Sequence, residues 1–158
     1  MTGRSIKFFV FVKCLFLFST IQAQEKREMN PNEAKIKAAF IYNFSKYIEW
    51  PEGTSTEVIY VGIDHQDELL NELLQSERSK SNLRVVNLKD IEYLEDLHII
   101  YSNDEHMLNR INGKPILLVS DENEPEQCMI QFNQNHQRLI FTANDSLLEL
   151  HQLRVAHK

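Results

Sequence analysis

Cysteine is nearly missing from this chain. There are two in 158 residues, Cys14 and Cys128, and Cys14 lies in an N-terminal segment that reads as a removable leader. A single remaining thiol cannot close an intramolecular disulfide, so the fold must rest on its hydrophobic core. Cys128 precedes Met129 and Ile130 in an apolar run and reads as buried; pairing between chains or redox exposure are the alternatives. Glycine is scarce as well, with four residues, and none falls in a GxGxxG or GxxxxGK run, which removes the usual phosphate cradles. Basic charge is in deficit. Lys and Arg number 17 against 23 Asp and Glu. A leader ending at Ala23 takes away three of the basic residues and none of the acidic ones, leaving a net charge of about −9. Such a surface repels a polyanion, which argues against nucleic acid as a partner.

Long apolar runs are also lacking. The longest, Phe8 to Phe18, is interrupted by Lys13 and falls short of the roughly 20 residues that a membrane-spanning helix needs. With the basic start at Arg4 and Lys7 and the polar, small-residue stretch closing at Ala23, MTGRSIKFFVFVKCLFLFSTIQA has the three parts of a secretory signal peptide. Lys13 and Ile21 depart from the ideal pattern, and an uncleaved N-terminal anchor is the alternative. Residues 1–23 are therefore read as a signal peptide and 24–158 as one domain, with no internal repeat, low-complexity segment or dividing linker.

What is present alternates in period. Asn30 predicts an N-cap, Pro31 the first helical position and Glu33 the return arm of a capping box. Ile36, Phe40, Phe44 and Ile48 then recur every four residues, with Ile41 and Tyr47 beside them and Ser45, Lys46 and Glu49 opposite. That is the stripe of a helix buried along one face, stopped by Pro51 and Gly53. Strands are predicted over 58–63, 83–88, 97–101 and 115–120, with helices over 68–77 and 105–111. A hairpin over 128–132 and 138–142 and a closing helix over 146–155 follow. Strands separated by helices predict an α/β fold: a single compact domain with a central, mostly parallel sheet, helices on both faces and a C-terminal antiparallel hairpin.

Motifs for chemistry are few. VGIDHQDE follows the first strand, where doubly wound sheets bind ligands, so Gly62 and Asp64 are the ligand-pocket candidates. Asp64, His65, Asp67 and Glu68 read as a solvated turn with Asp67 as a helix cap rather than as metal ligands. His98 sits among apolar neighbours and reads as a hydrogen-bonded strand histidine. His106, His136, His151 and His157 form no HExxH-type cluster, and no serine occupies a GxSxG elbow. Asp121, Glu122, Glu124 and Glu126 lack EF-hand spacing and read as a solvated acidic loop. No catalytic residue, metal or cofactor is assigned. Lys37 is the awkward residue, projecting within the apolar arc of its helix. It either snorkels out near the helix start, pairs in the core, or meets a partner. Asn43 borders the same face, and Trp50 is either a core plug or an interface anchor.

IKAAFIYNFSKYIEWP (36–51) resembles the N-terminal signature of the YfiR family of exported bacterial regulators. The likeness falls on Lys37, Ala38, Ala39, Tyr42, Asn43, Phe44, Lys46, Trp50 and Pro51. Gly62, GKPILLVSD (113–121), the Met129–Phe132 and Arg138–Phe141 pair and Asn144 resemble later family segments in the right order. The resemblance implies a small periplasmic α/β domain of a Gram-negative bacterium that acts by binding. Its implied partner is the periplasmic domain of an inner-membrane signalling protein, such as a diguanylate cyclase, with control of cyclic-di-GMP signalling and biofilm formation. It also implies a homodimer and no direct membrane insertion once the leader is cut. A small-molecule-binding sensory domain is the alternative. Lys37, Tyr42, Asn43, Phe44, Trp50 and Pro51 become partner-binding or fold-signature candidates. Three departures stand out: Leu97 replaces a frequent cysteine, which removes control through an internal disulfide, and Gln127-Cys128 replaces a glycine pair. The chain also stops at Lys158, before the family's usual apolar end, so the terminal element is expected to be incomplete.

Overall fold

The computed structural model describes residues 30–64, 67–80, 82–135 and 138–156. The predicted leader, His65, His136 and His157 lie outside the described residues. Helix α1 runs Pro31–Tyr47, with Pro31 at its first position and the Asn30 side chain accepting the Asn32 N–H at 2.9 Å. Its buried face is Ala34, Lys37, Ala38, Ile41 and Phe44. The predicted stripe is thus rotated: Ile36 and Tyr47 are 47% and 46% exposed. Small Ala34 and Ala38 let the helix backbone approach its neighbours closely, so the contact runs along the alanines rather than along the bulkiest side chains.

Six strands form the main sheet: β2 (Ile59–Ile63), β3 (Leu83–Asn87), β4 (Ile99–Tyr101), β5 (Leu117–Ser120), β6 (Ile130–Asn135) and β7 (Arg138–Ala143). Their order is β3-β2-β4-β5-β6-β7, parallel throughout except for the antiparallel β6–β7 hairpin. The order reverses direction between β2 and β4, which places the switch point of this doubly wound sheet at the end of β2. Register assigns the faces. Val61, Ile99 and Leu117 are aligned, as are Ile63, Tyr101 and Val119, and Phe132 stands opposite Phe141. This face carries α1, whose Phe40 and Phe44 pack on Phe132 at 5.9 and 6.0 Å between ring centroids.

Helix α2 (Asp67–Ser79) lies beside α1 and buries Leu69 and Leu73. Helix α3 (Met107–Ile111) connects β4 to β5. Its crossover runs the opposite way along the sheet from that of α2, so right-handedness puts it on the other face. Asn112, at φ 34, and Gly113, at φ 74, end α3 in the left-handed region. Each fully buried isoleucine or leucine of the two layers contributes roughly 1.5–3 kcal/mol of transfer free energy.

The C-terminus departs from prediction. The helix expected over 146–155 is α4, Asp145–Leu150, capped by the Asn144 side chain. Gln152 adopts φ 60 and Leu153 turns fully into the core. Strand β8 (Arg154–Val155) then pairs antiparallel with β1 (Ile48–Glu49), and the Ala156 N–H bonds the Tyr47 carbonyl at 2.8 Å. Residues 154–156 therefore fasten the end of α1.

Candidate functional site

Lys37 is 1% exposed, so it does not snorkel. Its ammonium pairs with Glu33, one turn earlier on α1, at 2.7 Å, and with the Asp121 carboxylate. It lies 5.8 Å from the centroid of the Phe132 ring. A buried cation is tolerable only when paired and hydrogen-bonded, and here two carboxylates and a ring face supply that. Asp121 follows β5, and its backbone N–H is held by Asn103 Oδ1 at 3.0 Å. The pair thus joins the first turns of α1 to the carboxyl end of the sheet. The loop predicted to be merely solvated provides this partner, and Asn123 within it is also buried.

Tyr101, the last residue of β4, is fully buried beneath the same group. Its hydroxyl and Asp121 Oδ1 are both enclosed, and neither has a formed hydrogen bond. Burial first, and then the nearby Asp121 carboxylate, hold the phenol far above its usual range. Tyr101 therefore stays protonated, a donor beside an acceptor.

A polar chain continues across the switch point. Ser102 Oγ donates to Asp64 Oδ2 at 3.1 Å and accepts from the Asp104 N–H. Ser120 Oγ donates to Asn103 Oδ1 at 2.8 Å and accepts from the Asn123 N–H at 3.1 Å. Gln131 Nε2 donates to the Asn123 carbonyl at 2.7 Å. These bonds satisfy the backbone where the strands end and fix Asp121 beneath Lys37. Gly62 has a different role: a Cβ there would run into Leu88 and come within 2.8 Å of Leu97 Cδ1, so the missing side chain admits packing.

The other signature residues separate. Phe44 is core, in edge contact with Phe141 at 5.1 Å. Tyr42 is half-buried, with Lys46 Nζ 4.4 Å and Lys80 Nζ 4.1 Å from its ring centroid. Asn43 is exposed. Trp50 is half-buried, edge-on to His98 at 5.9 Å, with its indole N–H enclosed and unpartnered. Pro51 accepts the Thr54 N–H at 3.1 Å, in a turn completed by Gly53 at φ 90. His98 is hydrogen-bonded as expected. Its Nδ1 accepts from the Tyr60 N–H, so its hydrogen is on Nε2, facing the Ser55 carbonyl at 2.8 Å. Cys128 is buried, and burial, then Glu126, push its thiol up to about 11.

Two clefts open elsewhere, the first at the amino end of the strands and the second beside β1 and β8. One of about 560 Å³ is lined by Tyr60, His98, Glu57, Glu95 and Asp96. Another of about 730 Å³ lies against Trp50, Pro51, Glu149 and Arg154. Gly62 and Asp64 line neither. Among the described residues no three His, Cys, Asp or Glu side chains are grouped to hold a metal ion, and no helix is long and apolar enough to cross a membrane.

Sequence reasoning singled out Lys37 but missed Glu33, Asp121 and Tyr101 as its surroundings. The Glu33–Lys37 spacing of one helical turn was the available signal. Asp121 comes from 84 residues away and becomes a partner only through the fold. No curated protein matches the chain. Residues 34–158 match the family model described as YfiR/HmsC-like, so the chain belongs to the YfiR/HmsC-like family.

Proposed function

We propose that this protein is an exported, periplasmic, non-enzymatic regulator. It binds the periplasmic domain of an inner-membrane signalling protein, a diguanylate cyclase in our reading, and so controls cyclic-di-GMP signalling and biofilm formation. It does so as a homodimer. The observation that carries the reading is the family match over residues 34–158. The geometry supports a division of labour within the signature helix. Lys37 and Phe44 face inward and hold α1 in place, whereas Tyr42, Asn43 and Trp50-Pro51 keep surface that a partner can reach. The competing reading is a small-molecule sensory domain. It is favoured by these two clefts, whose volumes lie within the range of ligand sites.

Co-purification from membranes under mild extraction distinguishes them. Wild type should retain a membrane protein that carries a cytoplasmic signalling domain. Lys37→Ala should retain it only to the extent that circular dichroism shows it folded, whereas folded Trp50→Ala should retain less of it than wild type. Folded, exported wild type that retains no such protein defeats the regulatory reading.

A further inference from the structure

The main sheet ends at β7, and among the described residues nothing pairs with its outer side. Natural edge strands are usually protected by charge, proline, a bulge or a covering element. Here Leu139–Ala143 reads LIFTA, with no charge and no proline. Ile140 and Phe141 are each 43% exposed, on opposite faces of the strand. Phe141 is also held in place: Phe40 and Phe44 meet its ring edge-on at 5.4 and 5.1 Å.

The hydrogen-bond direction of this edge follows from the hairpin. The Asn144 N–H bonds the Met129 carbonyl at 2.8 Å, continuing the β6–β7 ladder. Bonding alternates along an antiparallel strand. Thr142, Ile140 and Arg138 therefore direct their backbone groups to β6, while Leu139, Phe141 and Ala143 present N–H and C=O outward. An antiparallel strand from a second copy fits this pattern when Phe141 pairs with Phe141 and Leu139 with Ala143. Arg138 then stands opposite Asn144 of the second copy, next to the exposed acidic start of its α4 at Asp145. In a chain of net charge −6, this strand carries no acidic residue, and its one charge meets an acidic neighbour.

We propose that β7 is the self-association edge. Two copies pair β7 antiparallel about a twofold axis through Phe141, which joins their sheets into one. This deepens, and rests on, the homodimer part of the function proposed above.

The test is the solution mass of residues 24–158 by sedimentation velocity, with variants. Wild type should be a dimer at micromolar concentration. Ala143→Pro removes an outward N–H that β6 does not use, a position where an edge strand tolerates proline. It should keep the wild-type circular dichroism and raise the dissociation constant roughly tenfold or more, since two bonds are lost per dimer. Phe141→Lys should be monomeric. Leu150→Lys, at a site 68% exposed on α4, should leave the dimer unchanged. Phe141→Cys should form a disulfide across the axis, because a hydrogen-bonded antiparallel pair has Cα atoms about 5.5 Å apart. A dimer unaffected by Ala143→Pro and Phe141→Lys, or dissociated by Leu150→Lys, would overturn the edge while leaving the homodimer standing. A wild-type monomer would overturn both. A monomer whose Leu139, Phe141 and Ala143 amides resist hydrogen exchange would assign the edge to another segment of the same chain and overturn the proposal.

Discussion

Replacing Lys37 with Met keeps the apolar stem of the side chain and removes the ammonium group. Glu33 and Asp121 are then left facing each other around a buried site, with the Tyr101 hydroxyl beneath. Removing one member of a fully buried pair costs about 3–5 kcal/mol. Both carboxylates retain some water, at 17% and 21% exposure, so the cost falls at or just below the bottom of that range, about 2–3 kcal/mol. For a domain of this size that corresponds to a fall in melting temperature of roughly 10 °C. Urea unfolding followed by circular dichroism should show a lower midpoint at unchanged slope. Lys37→Met combined with Asp121→Asn should recover about half the loss, because one stranded carboxylate is gone. A single variant within about 0.5 kcal/mol of wild type, at the level of an ordinary surface substitution, would refute the claim that this ion pair holds α1 to the sheet.

Other substitutions test separate parts of the structure. Gly62→Ala should cost about 1–3 kcal/mol by overpacking, read by the same urea titration, because its Cβ would displace Leu88 and Leu97. Trp50→Phe should be neutral or slightly stabilising, within about 1 kcal/mol, since it deletes an enclosed N–H with no partner. Trp50→Ala, which also removes the ring from His98, should be clearly destabilised. Cys128 gives a pH prediction. Its thiol is raised from 9.0 to about 11 in the folded chain, so the native state favours the protonated form. That contribution is complete below pH 9 and is lost as pH rises toward 11. Stability should fall across this window in wild type and fall less in Cys128→Ala. Native Cys128 should also react with a thiol reagent at pH 8 far more slowly than the urea-unfolded chain.

Much of the fold was legible because strong local signals agreed with the tertiary arrangement. Compact apolar runs such as YVGI and ILLVS read correctly as buried strands, and Pro31 with Asn30 marked the start of α1. The errors have physical causes. Counting bulky residues put Ile36 on the buried stripe, whereas the helix packs along Ala34 and Ala38. The closing helix was read through Gln152 because a left-handed glutamine carries no sequence signal as glycine does. Lys37 was visible as an anomaly, but its solution was not. The ion pair depends on Asp121 arriving at the end of β5, and Tyr101 arrives there through strand order. Both are properties of topology that no local window contains.

The central claim is that this chain acts from the periplasm on a membrane signalling protein, and the cellular cyclic-di-GMP pool tests it most directly. The pool should be compared in cells lacking the chain, in cells given the full sequence, and in cells given residues 24–158 with only an initiating Met. Loss of the chain should shift the pool, the full sequence should restore it, and the leaderless form should not. A pool indifferent to the chain, or restored equally well by the leaderless form, would contradict it.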